Sequence, residues 1–172
     1  MMLNSKCLPV VSSVGVFALV AANLFAHGNE RGTAKATIGG ATVTIDYGRP
    51  TLKGRDLMKM IQPGAVWRIG SDAPTTIELD ADFDFGGTRV PKGKHILLAN
   101  FIVPGKWSLL VSSKPASQYD AGAKLAEVPL EFQESKDPVD EVTIQLSAKG
   151  GQGIIEIAWG TMRLEGSFSL AK

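Results

Sequence analysis

The chain has 172 residues, enough for one ordinary domain. Lys+Arg is 18 and Asp+Glu is 17, so the net charge is only +1, which excludes a basic nucleic-acid binder and an acidic, charge-expanded disordered chain. A single cysteine excludes an intramolecular disulfide, and two histidines thin out His-based catalysis and zinc binding.

Residues 1–26 read as an address. Lys6 is their only charge, and an uncharged, mostly apolar run follows from Cys7 to Ala26, with small residues near its end. A short basic start, an apolar stretch and small residues near its end predict a secretory signal peptide. The expected cut is Ala26/His27, with Ala22/Asn23 as the alternative. The rival reading is a retained anchor, since the run nearly reaches the ~20 residues of a spanning helix, but Pro9, Ser12, Ser13 and Asn23 dilute it. Cleavage leaves 146 residues with no cysteine, no membrane span and no net charge. The expected location is periplasmic or extracellular.

A flexible polar segment is expected over 27–35, then one domain over 36–172. Period-two alternation marks strands with one buried face. It places Val43, Ile45 and Tyr47 inside, then Ile77 and Leu79. Farther on it selects Val128, Leu130 and Phe132, then Val142, Ile144 and Leu146, and finally Met162, Leu164, Phe168 and Leu170. Ile96–Val103 and Leu109–Val111 are apolar on both faces and read as central strands. Gly86-Gly87, Pro91-Lys92-Gly93, Pro104-Gly105 and Gly150-Gly151 are turn signals, and Gly160-Thr161 reads as a junction between two strands. One short helix is expected over Arg55–Gln62, with Leu57, Met58 and Ile61 on one face until Pro63-Gly64 stops it. Ala121–Ala126 makes a turn of helix at most. Many short strands with regular turns predict an all-β, antiparallel β-sandwich, with a jelly-roll-like arrangement or a squat barrel as alternatives.

The chemistry-bearing residues gather in two stretches. Asp46-Tyr47-Gly48-Arg49-Pro50 runs on to Lys53-Gly54-Arg55, and Val66-Trp67-Arg68-Ile69-Gly70-Ser71-Asp72 follows. Tyr47, Arg49, Arg55, Trp67, Arg68 and Asp72 form a candidate ligand site, because guanidinium forks pair bidentately with carboxylate or phosphate. The competing reading has these arginines pairing with Asp46, Asp72 and backbone carbonyls to hold a long loop.

Tyr47-Gly48-Arg49-Pro50, Lys53-Gly54-Arg55, Val66-Trp67-Arg68 with Gly70, Thr75-Thr76, Pro91-Lys92-Gly93-Lys94, Trp107 and Trp159-Gly160 resemble the bacterial domain-of-unknown-function family 2911. The resemblance runs from about Ala34 to Leu170. It implies an exported β-rich domain and carries over no activity, cofactor or catalytic residue. The chain has Ser71-Asp72-Ala73-Pro74 after Gly70 where the family commonly has Ala-Asn-Glu-Ala, and His95 where it often has an aromatic.

Other motifs read as structure. Asp80, Asp82 and Asp84 alternate, but an EF-hand loop starting at Asp80 would need Gly and Glu where Phe85 and Pro91 stand. They are expected on a solvated strand face, with Phe83 and Phe85 turned inward. His95 lacks partner ligands for zinc, and no Gly-x-Ser-x-Gly elbow surrounds Ser71, Ser108, Ser112 or Ser113. Trp107 and Trp159 are expected in the core, Trp67 less so. No catalytic residue, metal or cofactor is assigned. Two functions compete: an exported module binding a small anionic or saccharide ligand or a protein partner, and an extracytoplasmic hydrolase using acidic residues with Arg49 and Arg68 as charge stabilisers.

Overall fold

The computed structural model describes residues 30–172; the expected signal peptide lies outside the described residues. Ten strands run β1 (Arg31–Ile38), β2 (Ala41–Gly48), β3 (Val66–Trp67), β4 (Thr76–Leu79), β5 (Phe83–Phe85), β6 (Thr88–Val90), β7 (Gly93–Val103), β8 (Lys106–Ser112), β9 (Lys124–Lys149) and β10 (Gln152–Leu170). One helical turn, α1 (Leu57–Met60), separates β2 from β3. The pairing is antiparallel in the order β1-β2-β4-β7-β8-β9-β10-β5-β6, with β3 also on β7, and the sheet is not closed.

Alternation is what folds this chain. Val43, Ile45, Ile77, Leu79, Val142, Ile144, Ile155, Ile157 and Leu164 all turn into one core. Each such side chain contributes about 1.5–3 kcal/mol relative to exposure. Phe83 and Phe85 are fully buried as expected, and Phe168 lies stacked on Phe85 at 4.8 Å. The central strands also bury their second face: Leu98 and Leu110 are buried outside the main core, and Leu98 lines a small cavity with Pro115 and Ala116. At the far end of β7, Ile102 and Val103 are exposed.

The turns follow their residues. Gly86-Gly87 closes β5 on β6, Gly105 closes β7 on β8 and Gly150-Gly151 closes β9 on β10, each glycine at positive φ. Three expectations change. β1 already begins at Arg31, inside the stretch expected to be flexible, because Ala34 and Ile38 supply a buried face. Gly160-Thr161 does not end a strand. Gly160, at φ 57, bends β10 while pairing with β9 continues on both sides. The bend brings one arm onto the other, so a Cβ at Gly166 would sit 3.5 Å from Ile155. β9 bends with it, and its extra residues between Glu134 and Val139 are held by Arg163, whose guanidinium donates to the Asp137 and Gly160 carbonyls. Strand corners of this kind let one sheet fold into two layers.

The third change is the helix, which is shorter than Arg55–Gln62. Asp56 caps it by accepting from the Met58 N–H at 3.0 Å, and Ile61 is already extended. Leu57 and Ile61 point inward, whereas Met58 is exposed.

Candidate functional site

The site grows from a gap in the sheet. β4 pairs with β7 over residues 93–96 and β3 pairs with the same edge over 99–100. Arg68–Thr75 must therefore leave that edge and return to it within a few residues. The turn holds Ile69 at φ 50, Gly70 at φ 146 and Asp72 at φ 59. A left-handed β-branched residue is a genuine outlier, costing about 1–3 kcal/mol unless its surroundings over-determine it. They do so here. Ile69 is wholly buried, the Thr75 hydroxyl donates to the Ile69 carbonyl at 2.8 Å, and the Thr75 carbonyl accepts from the Leu97 N–H. Gly48, ending β2, meets this turn backbone to backbone, so a Cβ there would run into the Ser71 carbonyl and one at Gly70 would lie 2.8 Å from the Gly48 carbonyl. The glycines are what let the two stretches touch.

The second wall is the segment from Pro50 to Ile61. It is pinned on β9 by the Thr51–Glu141 bridge, by the Leu52 N–H on the Asp140 carbonyl at 2.8 Å and by the Val142 N–H on the Pro50 carbonyl at 3.1 Å. The Asp140 carboxylate accepts from the Lys53 N–H, and Lys53 takes φ 52. Arg55 folds back on its own loop, with Nε donating to the Leu52 carbonyl at 2.8 Å and Nη2 to the Thr51 carbonyl at 2.9 Å.

Between these walls lies a cavity of about 530 Å³. Lys53, Arg55 and Arg68 bring positive charge, Trp67, Trp159, Leu57, Met60 and Ile61 bring apolar surface, and among the described residues its lining holds no carboxylate. Trp67 and Trp159 stack with centroids 5.5 Å apart and planes 8° from parallel. Trp159 is oriented by its indole N–H donating to the Asp140 carbonyl at 3.0 Å. Arg68 is exposed, and among the described residues its guanidinium makes no hydrogen bond or ion pair.

The six expected site residues therefore divide. Arg55, Trp67 and Arg68 line the cavity. Tyr47 lies in the core, its hydroxyl 3.4 Å from the Ile144 carbonyl, packed where Gly32 leaves room opposite it. Arg49 holds Glu141 at 2.7 Å, which makes it a link between β2 and β9. Asp72 borders a smaller cavity of about 220 Å³ on the other side of Arg68 and accepts from the Ser71 hydroxyl. The partners match those of the competing reading only in part: Arg55 binds backbone carbonyls of its loop, whereas Asp46 pairs with Arg31, and Arg49 with Glu141. Lys53, Trp159 and the organising Asp140 were not among the expected residues. Lys53 stands in the chemistry-bearing stretch and in the resemblance, Trp159 in the resemblance and among the rings expected in the core, and no motif pointed to Asp140.

A neighbouring cavity of about 550 Å³ shares Arg55 and Leu57 and is bordered by Leu52, Phe132, Glu134 and Met162. Asp56 beside it is occupied in capping α1 and faces Lys59 at 3.6 Å. The three alternating aspartates each serve a different backbone N–H, those of Thr42, Lys92 and Gly87. His95 Nε2 lies 2.7 Å from the Pro91 carbonyl. No helix among the described residues is long and apolar enough to cross a membrane.

Fold and site together define an antiparallel β-sandwich with a cationic, tryptophan-walled cavity at one sheet edge. The family model described as Protein of unknown function (DUF2911) matches residues 29–168, and the chain belongs to that family. No curated protein and no solved structure matches it.

Proposed function

We propose that this chain is an exported binding module that takes a small organic anion in the cavity between Lys53, Arg55 and Arg68. One observation carries the reading: three basic side chains line a cavity that, among the described residues, has no acid in its lining, and there Arg68 has no partner among the described residues. An exposed guanidinium in that position offers its fork to a carboxylate or phosphate. The volume falls in the 300–1,000 Å³ range of small-molecule sites. Hydrolysis is less well supported, since among the described residues the cavity lining contains no carboxylate, histidine or cysteine to act as base or nucleophile.

The test is thermal unfolding of the protein with millimolar organic acids and with neutral sugars. A ligand that binds only the native state raises the midpoint. Acids are expected to raise it and sugars to leave it unchanged, and Arg68→Ala is expected to remove the rise while keeping the ligand-free midpoint. Arg49→Ala should do the opposite. Losing the Glu141 pair costs about 1 kcal/mol, lowering the midpoint by about 3 °C with the ligand response kept. A rise with sugars alone would assign the cavity to saccharides.

A further inference from the structure

The cavity also says something about the body that such an anion must have. Its volume of about 530 Å³ is several times what an inorganic oxyanion fills, and half of its lining residues are apolar. The largest apolar element is the indole pair. Trp159 is buried and held by Asp140, and it stacks nearly parallel on Trp67, both indoles lining the cavity. Trp67 sits on the two-residue strand β3, hydrogen-bonded to β7, is only partly buried, and lines the cavity. A ring held in this way loses little freedom when a second flat ring joins the stack, and offset stacking is favoured over contact with a puckered aliphatic ring. Arg68 follows Trp67 directly, so charge and ring are presented from adjacent positions.

We propose that the ligand is an aromatic carboxylate, with its ring on Trp67 and its carboxylate on Arg68 and Lys53. This inference rests on the anion reading above and narrows it to one chemical class.

The experiment is isothermal titration of the full chain with three probes: 2-naphthoate, its fully saturated counterpart decahydro-2-naphthoate, and the neutral 2-naphthamide. The expected result is 2-naphthoate bound about fivefold to tenfold more tightly than the saturated acid, with the amide weaker than either. Trp67→Leu should erase the difference between the two acids, Trp67→Phe should keep most of it, and Arg68→Gln should weaken both acids alike. Circular dichroism checks that each variant is folded, and Trp67→Phe keeps the test decisive if Trp67→Leu is not. Equal affinity for the two acids would overturn the aromatic inference and leave the anion reading standing. Equal affinity for naphthoate and naphthamide would overturn the anion reading, and no binding of any probe would overturn both.

Discussion

Ile69 and the two glycines near it show how much of this site is a matter of single backbone conformations. A buried isoleucine at φ 50 would relax in a free peptide. It stays because its side chain is sealed in the core, Thr75 clasps its carbonyl, and β3 and β4 hold both ends of the turn to β7. Gly48 is the contact that lets the end of β2 lie directly on the Arg68–Thr75 turn. Gly48→Ala has no room, because its methyl would meet the Ser71 backbone, which cannot swing aside as a flexible side chain can. The expected cost is about 1–3 kcal/mol, a midpoint lowered by about 3–9 °C in thermal unfolding. A midpoint unchanged within a degree would mean that the Arg68–Thr75 turn yields freely.

At the scale of elements, β9 and its partners carry the architecture. β9 pairs with β8 through its first residues and with β10 through the rest, so it joins the two layers. Its start is fastened by Glu127, which accepts from the buried Ser108 hydroxyl of β8 at 2.6 Å and from the Lys124 ammonium at 2.7 Å. The Lys124 hydrogen bond first, and then that of Ser108, hold the Glu127 carboxyl below its ordinary value near 4.5. A carboxyl lowered on folding adds stability above that ordinary value and loses it as pH falls through the lowered one. Glu127→Gln should therefore lower the midpoint by about 1–3 °C at pH 7, with the gap closing toward pH 3. A gap that widens on acidification would contradict this.

For the whole molecule, charge is local. Over residues 27–172 acids and bases balance, so no long-range field draws anions in, and the attraction comes from side chains grouped at one sheet edge. Those side chains are solvent-accessible at Arg68, so salt screens them. Raising sodium chloride from about 0.05 to 0.5 M should weaken organic-acid binding severalfold, as the Debye length falls from about 14 to 4 Å. Affinity independent of salt would point to the apolar walls as the whole of the attraction.

Much of this fold was legible from alternation and glycine pairs, because a strand with one buried face must place its apolar side chains two apart. Where that signal fades, boundaries go with it. The β9 stretch from Gln133 to Glu141 is largely exposed, polar and interrupted by Pro138, and nothing local reveals that one strand continues through it. The bend at Gly160 looks like a turn in sequence because either use needs the same positive φ. The sequence by itself determined the strand faces, the hairpins and a neighbourhood rich in arginine and tryptophan. Only the tertiary structure decided that Arg49 is bound to Glu141 while Arg68 has no partner among the described residues, and that Trp67 meets Trp159. Those pairings join residues about ninety positions apart, and ion pairs and ring stacks act over a few ångströms of space. The bent β9–β10 hairpin brings those residues together.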